Sequence, residues 1–371
     1  MSKRSTSAKE RRSQRTNQER RGQEHKHAEM NAKAKSWARE WLDAIIFAGI
    51  AALIIRTLFF EAFRIPTPSM EKSLLVGDFL LVNKMDYGAR TPMTIGIPFT
   101  NVYIPGVNLP WIRLPGFENV HRYDVVVFNY PIDKGPITTK TNYIKRCIGL
   151  PGDTLSIKNK MVYIDHHKTK VFPTMEETYI VKVREQLRLS PARVQEAGGK
   201  IMQMTSDGNY IVNMTKAVKS KLETWPEIKS IEPNIYPKSY DEFSNSRFTF
   251  SHGIDGNRDQ FPPVVIPFKG EKVKLTDQDW HLYDNIVTRY EHNKVTKDGN
   301  TFIINGKKTN TYTIKQNYYF MMGDNRDNSE DSRYWGFVPQ DHILGKAFIV
   351  YFSWDKNKVM PRFGRILHLI H

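Results

Sequence analysis

Cysteine is all but missing. Cys147 is the only one in 371 residues, so no intrachain disulfide can form and no cysteine-rich zinc site can be built. The histidines, including the adjacent His166 and His167, show no His-Glu-x-x-His pattern or comparable ligand spacing, so neither a metal nor another cofactor is expected. Acidic charge is also short: 39 Asp and Glu face 55 Lys and Arg, for a formal net charge of +16. The excess is uneven, with twelve Lys or Arg against five Glu in residues 1–40. Basic residues just before an apolar run more often set membrane orientation than bind nucleic acid, so no nucleic-acid partner is expected. Residues 1–36 lack apolar periodicity, leaving nothing to offset the entropy of ordering, and read as a flexible basic tail.

Apolar residues then arrive in one block. Trp41 to Phe60 is about 20 residues, roughly 30 Å as a helix, which matches a bilayer core. Asp43 and Arg56 lie near its ends, where a charge reaches the interface at modest cost. The apolar residues cover the helix all round instead of forming a stripe, which argues against a soluble-domain helix. The run is longer than the core of a removable signal peptide, and no small-residue cleavage site follows it. A permanent single-pass anchor over residues 37–63 is therefore expected, with the tail in the cytoplasm and the rest of the chain across the membrane.

Directly after it comes Ile65-Pro66-Thr67-Pro68-Ser69-Met70. The two prolines fix φ at their own positions and push Ile65 and Thr67 toward extended geometry, so Ser69 is expected on a stiffened turn. About nine residues separate it from Phe60, a reach of at most roughly 30 Å. By itself such a serine is an ordinary turn residue. Further on, the apolar run to Asn83 that follows the Gly77-Asp78 turn, Asp124 to Tyr130, Tyr143 to Leu150 and Ala347 to Ser353 read as strands. In the third of these, alternation places Lys145 with Tyr143 and Cys147, and Ile144 with Arg146 on the other face. A strand lysine is by default a solvated edge residue, so Lys145 gains meaning only from a partner.

Residues 91–119 are rich in Pro and Gly yet carry Ile95, Ile97, Phe99, Val102, Tyr103, Ile104, Trp111, Ile112 and Leu114. They read as a loop packed on its own domain or as a surface that dips into the membrane. Residues 154–318 alternate short strands with polar stretches. Asn305-Gly306 and Asp298-Gly299 signal hairpins, and Ser190-Pro191 signals a helix start. Gly323 to Pro339 is dense in Gly, Asp, Asn and Ser, which build tight turns. Arg326 and Arg333 interrupt its carboxylates, so the acidic spacing of a calcium loop is missing.

A serine on a turn, a lysine among apolar residues and a polar turn are one known solution for amide hydrolysis. The serine needs a base, and an amine serves only when neutral. With a reference pKa near 10.4, well under about 1% of an exposed lysine is neutral at pH 8, so desolvation must lower it.

Residues 65–70, 77–84, 143–153 and 323–339 together resemble bacterial type I signal peptidase, over roughly residues 37–153 and 319–353. The resemblance implies Ser69 as nucleophile and Lys145 as general base, cutting preproteins after Ala-x-Ala type sites. It implies an oxyanion hole from the Ser69 N–H and the Thr67 hydroxyl, and Ser329 orienting the lysine. Asp331 and Arg333 resemble the family's supporting ion pair. Phe63, Ile65, Leu74, Tyr143 and Ile144 fall where the family lines its small-residue pockets. Thr67 stands where serine is commoner and Pro68 where glycine is.

The implied fold is mainly β: an antiparallel catalytic core over 64–153 and 319–371, with an inserted β-rich cap over 154–318. The implied partners are preproteins and the phospholipid bilayer of the bacterial cytoplasmic membrane, and the secretion machinery is a compatible third. Two other readings compete. One is a soluble serine/lysine autoprotease, which the anchor argues against; the other is an inactive pseudo-peptidase that holds preproteins, which the presence of both Ser69 and Lys145 argues against.

Overall fold

The structure, a computed structural model, describes residues 37, 39–91, 93, 110–299 and 301–370. The expected flexible tail over 1–36 lies outside the described residues. So does most of the apolar loop, including Ile95, Ile97, Phe99, Val102, Tyr103 and Ile104.

The chain separates into two compact units, residues 1–56 with 96–102 and residues 57–95 with 103–371. The helix Arg39–Phe59 is 21 residues long, and it is long and apolar enough to cross a bilayer. It ends earlier than the expected anchor boundary at 63. Phe60–Arg64 (β1) is a strand, paired antiparallel with Asp78–Asn83 (β2) from Phe60 opposite Asn83 to Arg64 opposite Phe79. Apolar continuity from helix into strand hides this switch. What reveals it is period-2 burial in β1, with Glu61 and Phe63 half-buried and Phe60, Ala62 and Arg64 exposed.

The larger unit is mainly β. Its principal sheet contains β1, β2, Val125–Asn129 (β3), Asn142–Gly149 (β4), Tyr318–Met322 (β5), Val338–Pro339 (β6) and Ile343–Asp355 (β7). Their spatial order is β1-β2-β7-β3-β4-β5-β6, and every pairing is antiparallel. The long strand β7 joins the two halves. Register shifts opposite Phe79/Leu80 and Leu81/Val82 let the sheet bend there.

Every residue of β3 is buried, because both faces of the sheet are covered. On one face Val126 and Phe128 pack with Cys147, Met321 and Trp335. On the other, Val125 and Val127 pack with Leu80, Val82, Ala347 and Val350.

Residues 154–318 contribute two kinds of packing. Thr154–Lys158, Met161–Ile164 and Phe261–Val265 form a sheet whose Leu155, Ile157 and Phe261 share one apolar core with Ile148, Phe320 and Met322 of β4 and β5. Glu176–Val183, Lys200–Met204, Tyr210–Thr215 and Ile228–Pro233 form a second sheet with its own core around Val181, Val194, Val212 and Leu222. The helix signalled by Ser190-Pro191 runs Pro191–Ala197, with Ser190 Oγ accepting the Arg193 N–H at 3.4 Å. Asn305 and Gly306 adopt φ of 50° and 82°, the left-handed pair that a tight hairpin between Thr301–Ile304 and Lys307–Thr309 requires.

Candidate active site

Thr67 is extended (φ −122°, ψ 154°), as a residue before proline should be, and Pro68–Met70 then forms a single 3₁₀ turn with proline at its first position. Two backbone bonds tie this loop to the sheet: Ile65 N–H to the Asp78 carbonyl at 2.8 Å and Gly77 N–H to the Ile65 carbonyl at 3.0 Å. The start of a helical turn leaves its first N–H groups without acceptors in the turn, and the Ser69 N–H is one of them. Ser69 itself is buried, and its carbonyl accepts the Asn325 N–H at 3.1 Å. The Asn325 side chain donates to the Pro68 carbonyl at 3.1 Å, so one asparagine grips the turn twice. Gly323 permits the approach of the two loops. A Cβ there would lie 2.6 Å from the Ser69 carbonyl oxygen and 2.3 Å from Ser329 Oγ.

β4 delivers the lysine from the other side. Lys145 is 3% exposed, and its Nζ lies 2.7 Å from Ser69 Oγ and 3.2 Å from the Ile144 carbonyl. The Tyr143 ring lies 5.3 Å away on the same face, as alternation predicts. Lys145 forms no ion pair among the described residues, which leaves desolvation as the dominant influence. Burial lowers its pKa to about 8, against the opposing pull of Asp331, Asp324 and Glu330. Near that pH a large fraction of the amine is neutral, with a lone pair beside a hydroxyl.

Two buried ion pairs flank the contact between Ser69 and Lys145. Arg333 holds Asp331 through Nε to Oδ1 and Nη2 to Oδ2, both at 2.9 Å, and Asp331 Oδ2 also accepts the Gly323 N–H at 3.0 Å. Burial alone would raise the Asp331 carboxyl, but the Arg333 charge and these bonds hold it below its usual range. Arg146 points to the opposite face from Lys145 and clasps Asp324 through Nε to Oδ1 at 2.9 Å and Nη2 to Oδ2 at 2.6 Å. The Asp324 N–H reaches Met70 Sδ at 3.4 Å, so this second pair buttresses the turn that carries Ser69. Sequence reasoning missed Asp324, Arg146 and Asn325 as site residues. The signal was present, since Arg146 was assigned to the face away from the lysine and a buried arginine needs a carboxylate.

The other predicted residues divide. Phe63, Ile65, Leu74 and Ile144 come together with Met70 in one apolar cluster. Tyr143 is not among them; it stacks on Tyr130 at 4.4 Å and meets the edge of Trp335 on the lysine's face of the sheet. Thr67 is exposed beside the turn. Ser329 Oγ is buried without a hydrogen-bond partner, so it makes no bond to Lys145 here. Cys147 is fully buried, and burial pushes its thiol pKa up, which suits a core residue. No group of three or more His, Cys, Asp or Glu is placed to hold a metal among the described residues.

A family model described as signal peptidase, peptidase S26 matches residues 38–236 and 261–354. The chain is 30% identical over 305 residues to signal peptidase I of Buchnera aphidicola subsp. Schizaphis graminum, covering 82% of this chain and 72% of that one. It is 29% identical over 327 residues to its counterpart in Buchnera aphidicola subsp. Acyrthosiphon pisum, covering 88% and 79%. Against signal peptidase I of Aquifex aeolicus it is 29% identical over 312 residues, covering 84% and 83%. A match of this extent, over the residues that build the serine turn and the lysine strand, means that the chain belongs to the signal peptidase family, serine peptidases that remove signal peptides.

Proposed function

We propose that the chain is a membrane-anchored endopeptidase that removes signal peptides from preproteins with a Ser69/Lys145 dyad. The observation that carries this reading is the 2.7 Å approach of a desolvated lysine, without a carboxylate partner, to a buried serine hydroxyl. Neutral Lys145 takes the Ser69 Oγ proton as Oγ attacks the carbonyl carbon before the cut. The resulting oxyanion meets the Ser69 N–H and the Thr67 hydroxyl, donors of a kind typically worth a few kcal/mol of barrier. Collapse transfers the proton from Lys145 to the departing amine of the mature chain. Lys145 then takes a proton from the water that attacks the Ser69 ester and gives it to Ser69 Oγ as the acyl–oxygen bond breaks, which frees the acid and restores the neutral amine. Asp331 and Arg333 hold the Gly323 backbone in place beside the turn, and Ser329 turns its free hydroxyl to the lysine when substrate is bound.

Selection of small residues before the cut, as in Ala-x-Ala sites, falls to Phe63, Ile65, Leu74 and Ile144 in their shared apolar cluster and to Tyr143 on the lysine's face of the sheet. The helix Arg39–Phe59 anchors the enzyme in the bacterial cytoplasmic membrane, and the basic residues ahead of it keep the N-terminus in the cytoplasm. The inserted residues 154–318 serve as a cap on this catalytic core.

The test is cleavage of a detergent-solubilised preprotein by the full chain, by Ser69→Ala and by Lys145→Met across pH 6–10. Both substitutions should lower the rate by roughly 10³-fold or more. Wild-type activity should rise with pH through about 8, as the lysine loses its proton. Binding without cutting by the wild type, or a rate within tenfold of it for Ser69→Ala, would overturn the reading.

A further inference from the structure

Beside the serine turn lies a cavity of about 610 Å³ that the dyad chemistry does not use, a size typical of ligand sites. Pro68 and Asn325 line one end, and the helix Pro191–Ala197 with the strand after it lines the other. Asn213 connects the two. Its Nδ2 donates to Asn325 Oδ1 and to Glu176 Oε2, both at 3.1 Å, and Asn325 in turn holds the Ser69 and Pro68 carbonyls. Asn213 is 3% exposed and lines the cavity, yet its Oδ1 has no hydrogen-bond partner. A buried acceptor left unpaired is costly, so a donor from a bound molecule would be gained there at little further expense.

The geometry also says which part of a substrate that molecule is. Phe63, Ile65 and Ile144, the side chains assigned to the segment before the cut, do not line this cavity. The departing amine leaves the scissile carbonyl in the opposite direction from that segment. Lys72, Lys200 and Arg362 surround the opening, against the carboxylates Glu71 and Glu176. Glu176 stands 3.8 Å from Lys72, too far for a hydrogen bond, and burial pushes its pKa up to about 7. Near neutral pH the cations therefore outnumber the anions.

We infer that this cavity receives the first residues of the mature chain, the segment after the cut, and that it favours acidic side chains there. Asn213 Oδ1 accepts a backbone N–H of that segment, and Lys72 and Lys200 face its side chains. The inference rests on the signal peptidase reading and gives the inserted residues 176–213 a part in substrate choice.

The test uses the full chain in detergent micelles at low salt, where partly exposed charges act most strongly. Two peptides are identical through an Ala-x-Ala site and differ at the second and third residues after it, Asp-Glu in one and Lys-Arg in the other. Wild type should prefer the acidic peptide by roughly three- to fivefold in kcat/KM, the scale of exposed ion pairs. Lys200→Glu should abolish or invert that preference, while leaving unchanged the ratio between two peptides that differ only before the cut. An identical acidic-to-basic ratio for wild type and Lys200→Glu overturns the inference and leaves the enzyme reading intact. Failure to cut any peptide overturns the enzyme reading, and the inference falls with it.

Discussion

Two lysines of this chain are buried to nearly the same depth and keep very different company. Lys145, on β4 beside the serine turn, is 3% exposed and touches a hydroxyl and a carbonyl. Lys160, in the tight turn between Thr154–Lys158 and Met161–Ile164, is 7% exposed; it forms an ion pair with Asp327 and lies 3.7 Å from Asp259. Burial alone therefore does not decide what a lysine can do. A lysine facing carboxylates fastens loops that are distant in sequence, whereas one facing a hydroxyl is left with an unpaid desolvation cost that lowers its proton affinity.

The largest effect separating the two is on stability. Lys160→Met removes the cation that serves two buried carboxylates and leaves Asp327 with Arg258, whose Nε is 3.6 Å away. Breaking a buried pair on one side costs about 3–5 kcal/mol, so the thermal midpoint of the detergent-solubilised chain should fall sharply. An unchanged midpoint would erase the distinction between the two lysines.

Lys145→Met should act in the opposite direction. The lysine titrates near 8 in the folded chain and at its ordinary value of 10.5 when unfolded. Between those values the unfolded chain binds more protons, so wild-type stability rises with pH across that window. Below 8 the lysine is protonated in both states, and the cost of burying its charge is fully present. Methionine avoids that cost and loses one hydrogen bond to Ser69. A gain of about 2 kcal/mol at pH 7 is expected, shrinking as pH goes from 8 to 10.5. The variant would be inert and more stable at once. Destabilisation at pH 7 would show that burial of this amine carries no cost.

The two lysines also mark what could be read in the sequence. Lys145 was legible because a local rule applied: alternation along β4 placed it with Tyr143 and Cys147, and the motif around Ser69 supplied a partner. The strands β2, β3 and β4 were legible for the same reason, being apolar runs stopped by turn residues. Lys160 carried no local signal, since its partners stand at 259 and 327. Asn213 was invisible likewise, because its link to Asn325 spans 112 positions. The expected anchor bound at 63 runs past the helix, because only pairing with β2 makes Phe60–Arg64 a strand. Tyr143 and Ile144, both expected to line the small-residue pockets, face opposite ways on β4, as successive strand residues do. Local chemistry shows through in sequence; long-range pairing of polar groups does not.

The smallest effect concerns Ser329, whose hydroxyl the resemblance assigns to orienting the lysine. Ser329 Oγ sits against Gly323, as the Ser69 carbonyl does, and has no hydrogen-bond partner. Ser329→Ala therefore deletes no bond made in the resting protein, and its stability should stay within about 0.5 kcal/mol of wild type. If the hydroxyl turns to Lys145 when substrate binds, that bond exists only on the reaction path. Its loss should then lower kcat by roughly five- to tenfold, the worth of one hydrogen bond, with KM unchanged. The rise of activity through about 8 should stay where it is, because that value comes chiefly from burial. An unaltered kcat would mean that Ser69 and the Ile144 carbonyl orient the amine without help. Lys145 would then rest on a hydroxyl and a carbonyl alone, where Lys160 rests on two carboxylates.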